Sequence, residues 1–340
     1  MASERLTIVV AAFNEADALP LLHPRLQAAA DALADAGIKA GILYVDDGST
    51  DATWQVLQGL AGDDPRVALL RLSRNFGKEA ALTAALDTVE EGAAMLVDAD
   101  GQDPPELIGQ FVARWREGYD DVYGTRTARQ GDGWLKRASA HAFYRIMDRL
   151  SPTPIPRDTG DFRLLSARAL AALGQLRERQ RFMKGLFGWV GFNRSAIPYE
   201  RAPRLAGRSK FNFWRLWNFA LEGITSFSTA PLRLATYLGV LAALVAFGYG
   251  AWIVLKAWLW GDPVAGWPSM MAVILFLGGV QLVALGLIGE YLGRLYMEAK
   301  QRPLYLVAER RPPGVCSGAS PSPGGATHAH GTPTARSETA

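Results

Sequence analysis

Short apolar runs alternate with amphipathic stretches over the first third of the chain. The runs have the length of strands buried on both faces, and the stretches between them have a helical spacing of apolar residues. Strands are predicted at 6–12, 41–45, 67–72, 93–97 and 121–124, and helices at 17–36, 51–60, 78–90 and 104–115. Strands and helices in this alternation predict an α/β, Rossmann-like fold with a mainly parallel sheet.

Two longer apolar stretches, 234–255 and 269–289, contain no charged residue. Each is long enough to cross the hydrocarbon core of a bilayer as a helix. We therefore predict two C-terminal transmembrane helices; a buried helix pair in a soluble protein is the alternative. Arg233 precedes the first stretch, and Arg294 and Lys300 follow the second. The positive-inside rule predicts a multi-pass membrane protein with both termini in the cytoplasm.

Two further segments, 133–150 and 211–227, place Trp, Phe and Leu on one helical face beside Lys and Arg. This pattern is typical of helices that lie in the membrane interface, and packing against the sheet or a partner subunit is the alternative. A short strand is predicted at 303–307, where it could pair with another subunit in a homo-oligomer. The tail from 310 is rich in Pro, Gly, Ser and Thr and is predicted to be disordered.

Composition narrows the class of protein further. Hydrophobic residues make up 49% and charged residues 20%, which excludes a collagen-like or wholly disordered chain. A single cysteine excludes an internal disulfide, and a net charge of +3 is too small to indicate a nucleic-acid partner. The predicted organisation is an α/β core at 1–132, a part with the two amphipathic segments at 133–230, a hydrophobic hairpin at 231–295, a short strand segment at 296–309 and the tail at 310–340.

Polar clusters follow the predicted strands at their carboxyl ends, where open α/β sheets bind ligands. Asp98 and Asp100 lie two residues apart on an extended segment, so their side chains share one face, which Gln102 continues. Two carboxylates suit a hard cation such as Mg²⁺, and a solvated acidic turn is the alternative. Asp103 is predicted to cap the helix that begins at Pro104. Lys78 opens a helix, where it could bind a phosphate or be simply exposed.

Six motifs in order carry a family resemblance. VDDGSTD at 45–51, DADGQDPPE at 98–106 and GTR at 124–126 resemble the GT-A fold glycosyltransferases of family 2. LSRNFGKE at 72–79, DTGDFRL at 158–164 and GRSKF at 207–211 are similar to the polyprenyl-phosphate sugar transferases, which are relatives of dolichol-phosphate mannose synthase. The resemblance is to the bacterial branch with two C-terminal spans, and it covers residues 5 to 307.

This resemblance implies a metal-dependent, inverting transfer of one sugar from a nucleoside diphosphate sugar, with UDP expected, to polyprenyl (undecaprenyl) phosphate at the cytoplasmic membrane face. It implies that Mg²⁺ or Mn²⁺ is held by Asp100 and Gln102, with Asp98 on the metal or the donor ribose. It also implies a contact of Asp46 or Asp47 with the base; the residues alone also allow helix capping there. Asn14 and Glu15 are expected to help hold the nucleotide.

On the acceptor side, the resemblance identifies 158–164 as a catalytic loop in which Asp158 or Asp161 orients the attacking phosphate or the sugar hydroxyls. A tight turn is the alternative. A phosphate monoester is largely a dianion at neutral pH, so the acceptor needs no strong general base. Cationic side chains should bind it, and the candidates are Arg126, Arg208 and Lys210. Ser209 with Lys210 follows a glycine, which is typical of a loop that closes over a diphosphate.

Two other functions fit parts of the pattern. A processive polysaccharide synthase would need a Gln-x-x-Arg-Trp motif and more spans, whereas 180–182 reads Gln-Arg-Phe. A non-catalytic membrane scaffold that kept the fold would be expected to lose the acidic motif, which is present here.

Overall fold

In the computed structural model, residues 4–127, 159–179, 181–201 and 266–314 are described, together with scattered helical positions between 237 and 260. The segments 133–150 and 211–227, predicted to lie in the membrane interface, fall outside these residues. The tail beyond 314 does as well.

Within the described residues, eight strands form one sheet. The strands are β1 (Arg5–Ala12), β2 (Lys39–Asp46), β3 (Val67–Leu72), β4 (Ala93–Asp98), β5 (Asp121–Arg126), β6 (Thr159–Leu165), β7 (Arg194–Tyr199) and β8 (Val307–Arg311). The helices are α1 (Leu19–Asp35), α2 (Thr53–Asp63), α3 (Lys78–Thr88), α4 (Ile108–Arg116), α5 (Ala167–Gln175), α6 (Met183–Val190) and α7 (Trp267–Ala299), with a 3₁₀ turn at Pro105–Leu107.

The sheet has the order β7-β5-β6-β4-β1-β2-β3-β8 and is mixed. Its centre, β4-β1-β2-β3, is parallel, as the alternation of strands and helices predicts. β6 runs antiparallel to both β4 and β5, and β8 runs antiparallel to β3. β5 and β7 pair in parallel and run in the same direction as the central strands. The prediction of a mainly parallel sheet therefore holds for six of the eight described strands and fails for β6 and β8. Because β6 is reversed, its first residues lie at the carboxyl end of β4.

Two helical layers cover the sheet. On one face, α1, α2 and α4 pack against alternate residues of the central strands, such as Ile8 and Val10 of β1. On the other face, α3, α5 and α6 pack against residues of the opposite parity, such as Val9. Ile8, Val9 and Val10 are all fully buried. Strands buried on both faces account for the continuous apolar runs in the sequence.

One described helix is long and apolar enough to cross a membrane. It is the part of α7 from Phe276 to Ala299, whose side chains are not buried within the protein. This helix overlaps the second predicted span. The first predicted span, 234–255, falls where only scattered helical positions are described, so the pair of spans remains a prediction.

The chain returns to the sheet after α7. A strand is predicted at 303–307, and the observed strand, β8, begins four residues later, at Val307. It pairs with β3 of the same chain. β8 covers the edge of its own sheet at β3, and the pairing of this strand with another subunit stays a prediction. The predicted start of the tail at 310 also falls inside β8.

Candidate functional site

The candidate metal-binding turn directly follows β4. Asp98 is the last residue of that strand, and Gly101 lies in the turn with φ +69°. Asp100 is buried, and its Oδ1 accepts a hydrogen bond from the Gln102 backbone N–H at 3.1 Å. Arg25 lies in α1, and its guanidinium Nη1 donates a hydrogen bond to the Gly101 carbonyl oxygen at 3.4 Å. The turn is thus held by its own backbone and by a side chain from a neighbouring helix.

Lys78 joins the two sides of the site. Its Nζ lies 2.6 Å from Asp98 Oδ1 and 2.6 Å from Asp161 Oδ2. Asp98 ends β4, whereas Asp161 lies near the start of the antiparallel β6. Two carboxylates on neighbouring strands repel each other, and an ammonium between them removes that cost. The structure therefore brings together three side chains that the sequence assigned to a donor side and an acceptor side.

This arrangement favours the charged forms of Lys78 and Asp161. Burial raises the pKa of Asp161, but the Lys78 ammonium outweighs it and holds that pKa well below the ordinary range. Burial also disfavours the charged form of Lys78, but Asp161 and Asp98 hold its pKa well above the usual value. Asp161 Oδ1 is buried without a hydrogen-bond partner among the described residues. Asp161 is thus an ionised, weakly basic group with one oxygen left to orient a ligand.

A second buried carboxylate lies behind the turn. Asp103 Oδ1 accepts a 2.8 Å hydrogen bond from the Tyr199 hydroxyl of β7. The predicted capping role of Asp103 is wrong, because the 3₁₀ turn that follows has no side-chain cap. Burial, and next the charge of Asp98, raise the pKa of Asp103 to about 6. Arg126, at the end of β5, interacts with the Tyr199 hydroxyl and with the charges of Asp103 and Asp98.

Asp46 and Asp47 hold loops together. Asp46 is fully buried; its Oδ1 accepts from the Ser49 N–H at 3.0 Å, and its Oδ2 lies 3.3 Å from Arg71 Nε. Asp47 accepts the N–H groups of Phe76 and Gly77 at 2.8 and 2.9 Å. These hydrogen bonds brace the loop that leads into α3 and do not cap a helix, because Phe76 and Gly77 precede its first residue, Lys78. The capping alternative is therefore wrong for Asp47.

The loop at Gly48 needs its glycine. Gly48 has φ +65°, and a Cβ there would lie 2.3 Å from the Arg74 carbonyl carbon. Only a residue without a side chain allows this close approach between the loops after β2 and β3. Together, Asp47 and Gly48 fix the start of α3, and hence the position of Lys78.

Asn14 and Glu15 occupy the loop after β1. Asn14 has φ +54°, its N–H donates to Ser49 Oγ at 3.0 Å, and its Oδ1 accepts from the Thr50 N–H at 2.9 Å. The Glu15 N–H donates to Thr53 Oγ1 at 2.9 Å. These contacts join the loops after β1 and β2 at the carboxyl edge of the sheet, beside the turn after β4.

Three contributors to the site were missed by sequence reasoning. Arg25 forms a bidentate ion pair with Glu106 at 2.8 Å for each hydrogen bond, which braces the acidic turn. Arg201 Nη2 lies 3.6 Å from Asp100 Oδ2. Neither arginine lies in a motif, so nothing in the sequence indicated its partner.

The third missed residue is Glu79, which follows Lys78. Its Oε2 accepts the Met183 N–H at 3.1 Å and so caps α6 from another helix. Burial, and next the charge of Asp161, raise the pKa of Glu79 to about 7. Its position within the LSRNFGKE motif was the available signal.

The remaining predicted residues, Asp158, Arg208, Ser209 and Lys210, lie outside the described residues. Among the residues that the structure does describe, no group of three Asp, Glu, His or Cys side chains is arranged as a ready metal cage. The donor chemistry nevertheless fits a hard divalent cation, because Asp98, Asp100 and Asp103 crowd negative charge around one turn. Mg²⁺ commonly takes only one or two protein carboxylates and completes its shell with phosphate and water.

Comparison with known proteins identifies the family. Residues 7–174 match glycosyl transferase family 2, and residues 230–295 match the GtrB C-terminal hairpin. An uncharacterised glycosyltransferase of Synechocystis, sll0501, is 48% identical over 89% of this chain and 95% of its own length. The bactoprenol glucosyl transferase of Shigella phage SfX is 44% identical over 90% of this chain and 100% of its own. A prophage bactoprenol glucosyl transferase homologue of Escherichia coli K12 is also 44% identical, over 89% and 98%.

These relatives are matched over almost their whole length, and the matched regions contain both the mixed sheet and the apolar hairpin. The protein is a glycosyltransferase with a GT-A, Rossmann-like domain, and the chain belongs to glycosyl transferase family 2.

Proposed function

We propose that this protein transfers one sugar from a nucleoside diphosphate sugar, UDP-linked, to polyprenyl phosphate at the cytoplasmic face of the inner membrane. The observation that carries the proposal is the Lys78 bridge between Asp98 and Asp161 at the carboxyl edge of the sheet. It holds a donor-side carboxylate and an acceptor-side carboxylate within reach of one ammonium. The printed names of the phage and prophage relatives support bactoprenol as the acceptor lipid.

On the donor side, Asp98, Asp100 and Gln102 would hold Mg²⁺ or Mn²⁺ with the diphosphate. Such a cation would neutralise charge on the departing nucleoside diphosphate. Asn14, Asp46 and Asp47 shape the loops in which the nucleotide would lie. Their carboxylate and amide oxygens already accept backbone hydrogen bonds, so they act chiefly by fixing those loops. Ser209 and Lys210 are proposed to cover the diphosphate.

On the acceptor side, the low pKa of Asp161 argues against a role as a strong base. The acceptor phosphate is largely a dianion and attacks the anomeric carbon without losing a proton. Asp161, with Asp158 as the second candidate, would orient the acceptor or the sugar hydroxyls. Arg126, Arg208 and Lys210 would bind the acceptor phosphate. Attack opposite the leaving group would invert the anomeric centre.

Membrane attachment follows from the acceptor and from the chain itself. The apolar part of α7 supports at least one crossing, and the charge-free stretch at 234–255 supports a second. Arg294 and Lys300 after α7 favour a cytoplasmic C-terminus. The catalytic domain would then face the cytoplasm, where nucleotide sugars are made.

The test is a donor panel. Purified full-length protein, with undecaprenyl phosphate and Mg²⁺, should give a lipid-linked monosaccharide with at least one UDP-sugar and none after chelation with EDTA. Asp100→Asn should lower the rate at least about 100-fold without a change in melting temperature, because it removes one cation-binding charge. The absence of a lipid-linked product with every UDP- and GDP-sugar would contradict the proposal. Chains of several sugars would instead indicate a processive synthase.

A further inference from the structure

The end of the membrane helix is fastened to the catalytic domain at the far end of α3. Asp87, in the last turn of α3, accepts two hydrogen bonds on the same carboxylate oxygen. Arg177 Nη1 donates at 2.6 Å, and the Tyr305 hydroxyl donates at 2.9 Å. Asp87 is largely shielded, with a side-chain exposure of 17%. Tyr305 lies six residues after Ala299, where α7 ends.

A second contact lies beside the first. Glu298, in the last turn of α7, accepts the Arg179 N–H on Oε1 at 2.6 Å. Further on, the Ser73 N–H donates to the Leu306 carbonyl at 2.9 Å, immediately before β8 joins the sheet. The segment that leaves the apolar helix thus contacts the loop before α6, the end of α3 and the edge of β3.

The same elements carry the site. Lys78 is the first residue of α3, and Asp87 is the tenth of its eleven residues. A helix of that length is a rigid rod of about 16 Å. Glu79 of α3 also holds Met183, the first residue of α6, whose preceding loop contains Arg179. A displacement of the α7 end would therefore be transmitted to Lys78 along α3.

We propose that Asp87, with Tyr305 and Arg177, is a positioning cluster that sets the distance and tilt of the catalytic site relative to the membrane helix. Its function is to place the site at the depth of an acceptor phosphate anchored in the bilayer. The proposal rests on the proposed function, because it presupposes a membrane-embedded acceptor. The chain from Ala299 to Tyr305 makes six residue steps and could otherwise extend to roughly 20 Å, which would let the domain swing away from the headgroups.

Two acceptors separate this role from a merely structural one. Undecaprenyl phosphate in lipid vesicles requires the site to sit at the headgroups, whereas geranyl phosphate in solution does not. Full-length Asp87→Asn and Tyr305→Phe proteins, reconstituted in the same vesicles, would be compared with the wild type using the active UDP-sugar. We expect KM for undecaprenyl phosphate to rise about tenfold, with kcat/KM for geranyl phosphate within twofold of wild type.

Glu90→Gln is the matched control, because it removes only an exposed ion pair with Arg310. The Glu90 side chain is 79% exposed and the Arg310 side chain 55%. It should leave both acceptors unaffected. An equal loss on the two acceptors in Asp87→Asn and Tyr305→Phe would show a structural role and overturn the proposal, and so would no change on either. A wild-type protein that uses neither acceptor would instead refute the proposed function itself.

Discussion

Replacing Lys78 with methionine should lower the rate of sugar transfer by about two to three orders of magnitude. The substitution keeps the length of the side chain and the helix propensity of the first turn of α3 while removing the charge. The measurement is the initial rate of lipid-linked product formation at saturating donor and acceptor. The melting temperature of the purified protein shows whether the fold is retained.

The physical reason is the position of the ammonium between two carboxylates. With Lys78 in place, its Nζ lies 2.6 Å from an oxygen of Asp98 and of Asp161, so both carboxylates are held in fixed positions. Without it, the two carboxylates repel each other across neighbouring strands, and at least one will move or take up a proton. Asp98 on the donor side and Asp161 on the acceptor side are then no longer held in fixed positions relative to each other. Electrostatic preorganisation of this kind is usually the largest contribution to the rate of a transfer reaction.

Two variants control for charge and for surface effects. Lys78→Arg keeps the positive charge with a different shape and should retain more activity than Lys78→Met. Lys39→Met removes an exposed lysine at the start of β2 and should have no effect. If Lys78→Met kept more than about a tenth of the wild-type rate, Lys78 would be an ordinary exposed lysine and the bridge would have no catalytic role.

Continuous apolar runs made the centre of the fold predictable. β1 to β4 are buried on both faces, so each appears in the sequence as an uninterrupted run with turn residues at its end. The carboxyl-edge location of the polar clusters followed from the same rule, since parallel strands end at one edge of the sheet. The sequence alone therefore indicates Asp98 and Asp100 as candidate site residues.

The two sides of the sheet could not be predicted in this way. β6 contains Asp161 and Arg163, and a charged pair in seven residues is typical of a loop. Each charge is instead matched by a partner far away in sequence, Lys78 for Asp161 and Asp121 for Arg163. β7 contains Pro198, which is tolerated because β7 is an edge strand. Pairing between distant segments leaves no local pattern.

The same limit applies to the candidate site. The acidic residues after β2 were recognised as candidates, but their hydrogen bonds to backbone groups depend on how loops approach one another. Asp47 holds Phe76 and Gly77, which are about 30 positions away. Arg25 reaches the acidic turn from α1, and Arg201 reaches it from two residues beyond the end of β7. Residue type and spacing predict the chemistry at a strand end, whereas the supporting partners require the three-dimensional fold.

Replacing Arg163 with methionine should lower the free energy of unfolding by about 3–5 kcal/mol. Arg163 is 2% exposed, and its Nη1 donates to both oxygens of Asp121, at 3.2 and 3.1 Å. Its guanidinium also stacks 3.9 Å from the centre of the Phe187 ring. Methionine fills much of the volume but leaves the Asp121 carboxylate buried beside an apolar group. Thermal unfolding of the full-length protein should show a decrease in midpoint of roughly 10 °C.

The comparison needs a second variant and a matched surface change. Adding Asp121→Asn to Arg163→Met should recover part of the lost stability, because no charge is then left buried. Arg114→Met removes an exposed partner of Glu117 and should leave the unfolding midpoint close to that of the wild type. A midpoint for Arg163→Met that equals the Arg114→Met value would show that the buried pair makes no special contribution.

The pH dependence distinguishes a stranded charge from a simple loss of packing. Burial raises the pKa of Asp121 above its ordinary value, while Arg163 and Arg194 oppose that shift. Removing Arg163 raises the folded-state pKa further and leaves the unfolded-state pKa unchanged. The folded protein then binds more protons than the unfolded chain between those two pKa values, so its stability falls as pH rises through that interval. The deficit of Arg163→Met relative to wild type should therefore shrink as pH falls from 7 to 5. A deficit that stays constant over this range would indicate that lost packing against Phe187, and not the Asp121 carboxylate, accounts for the effect.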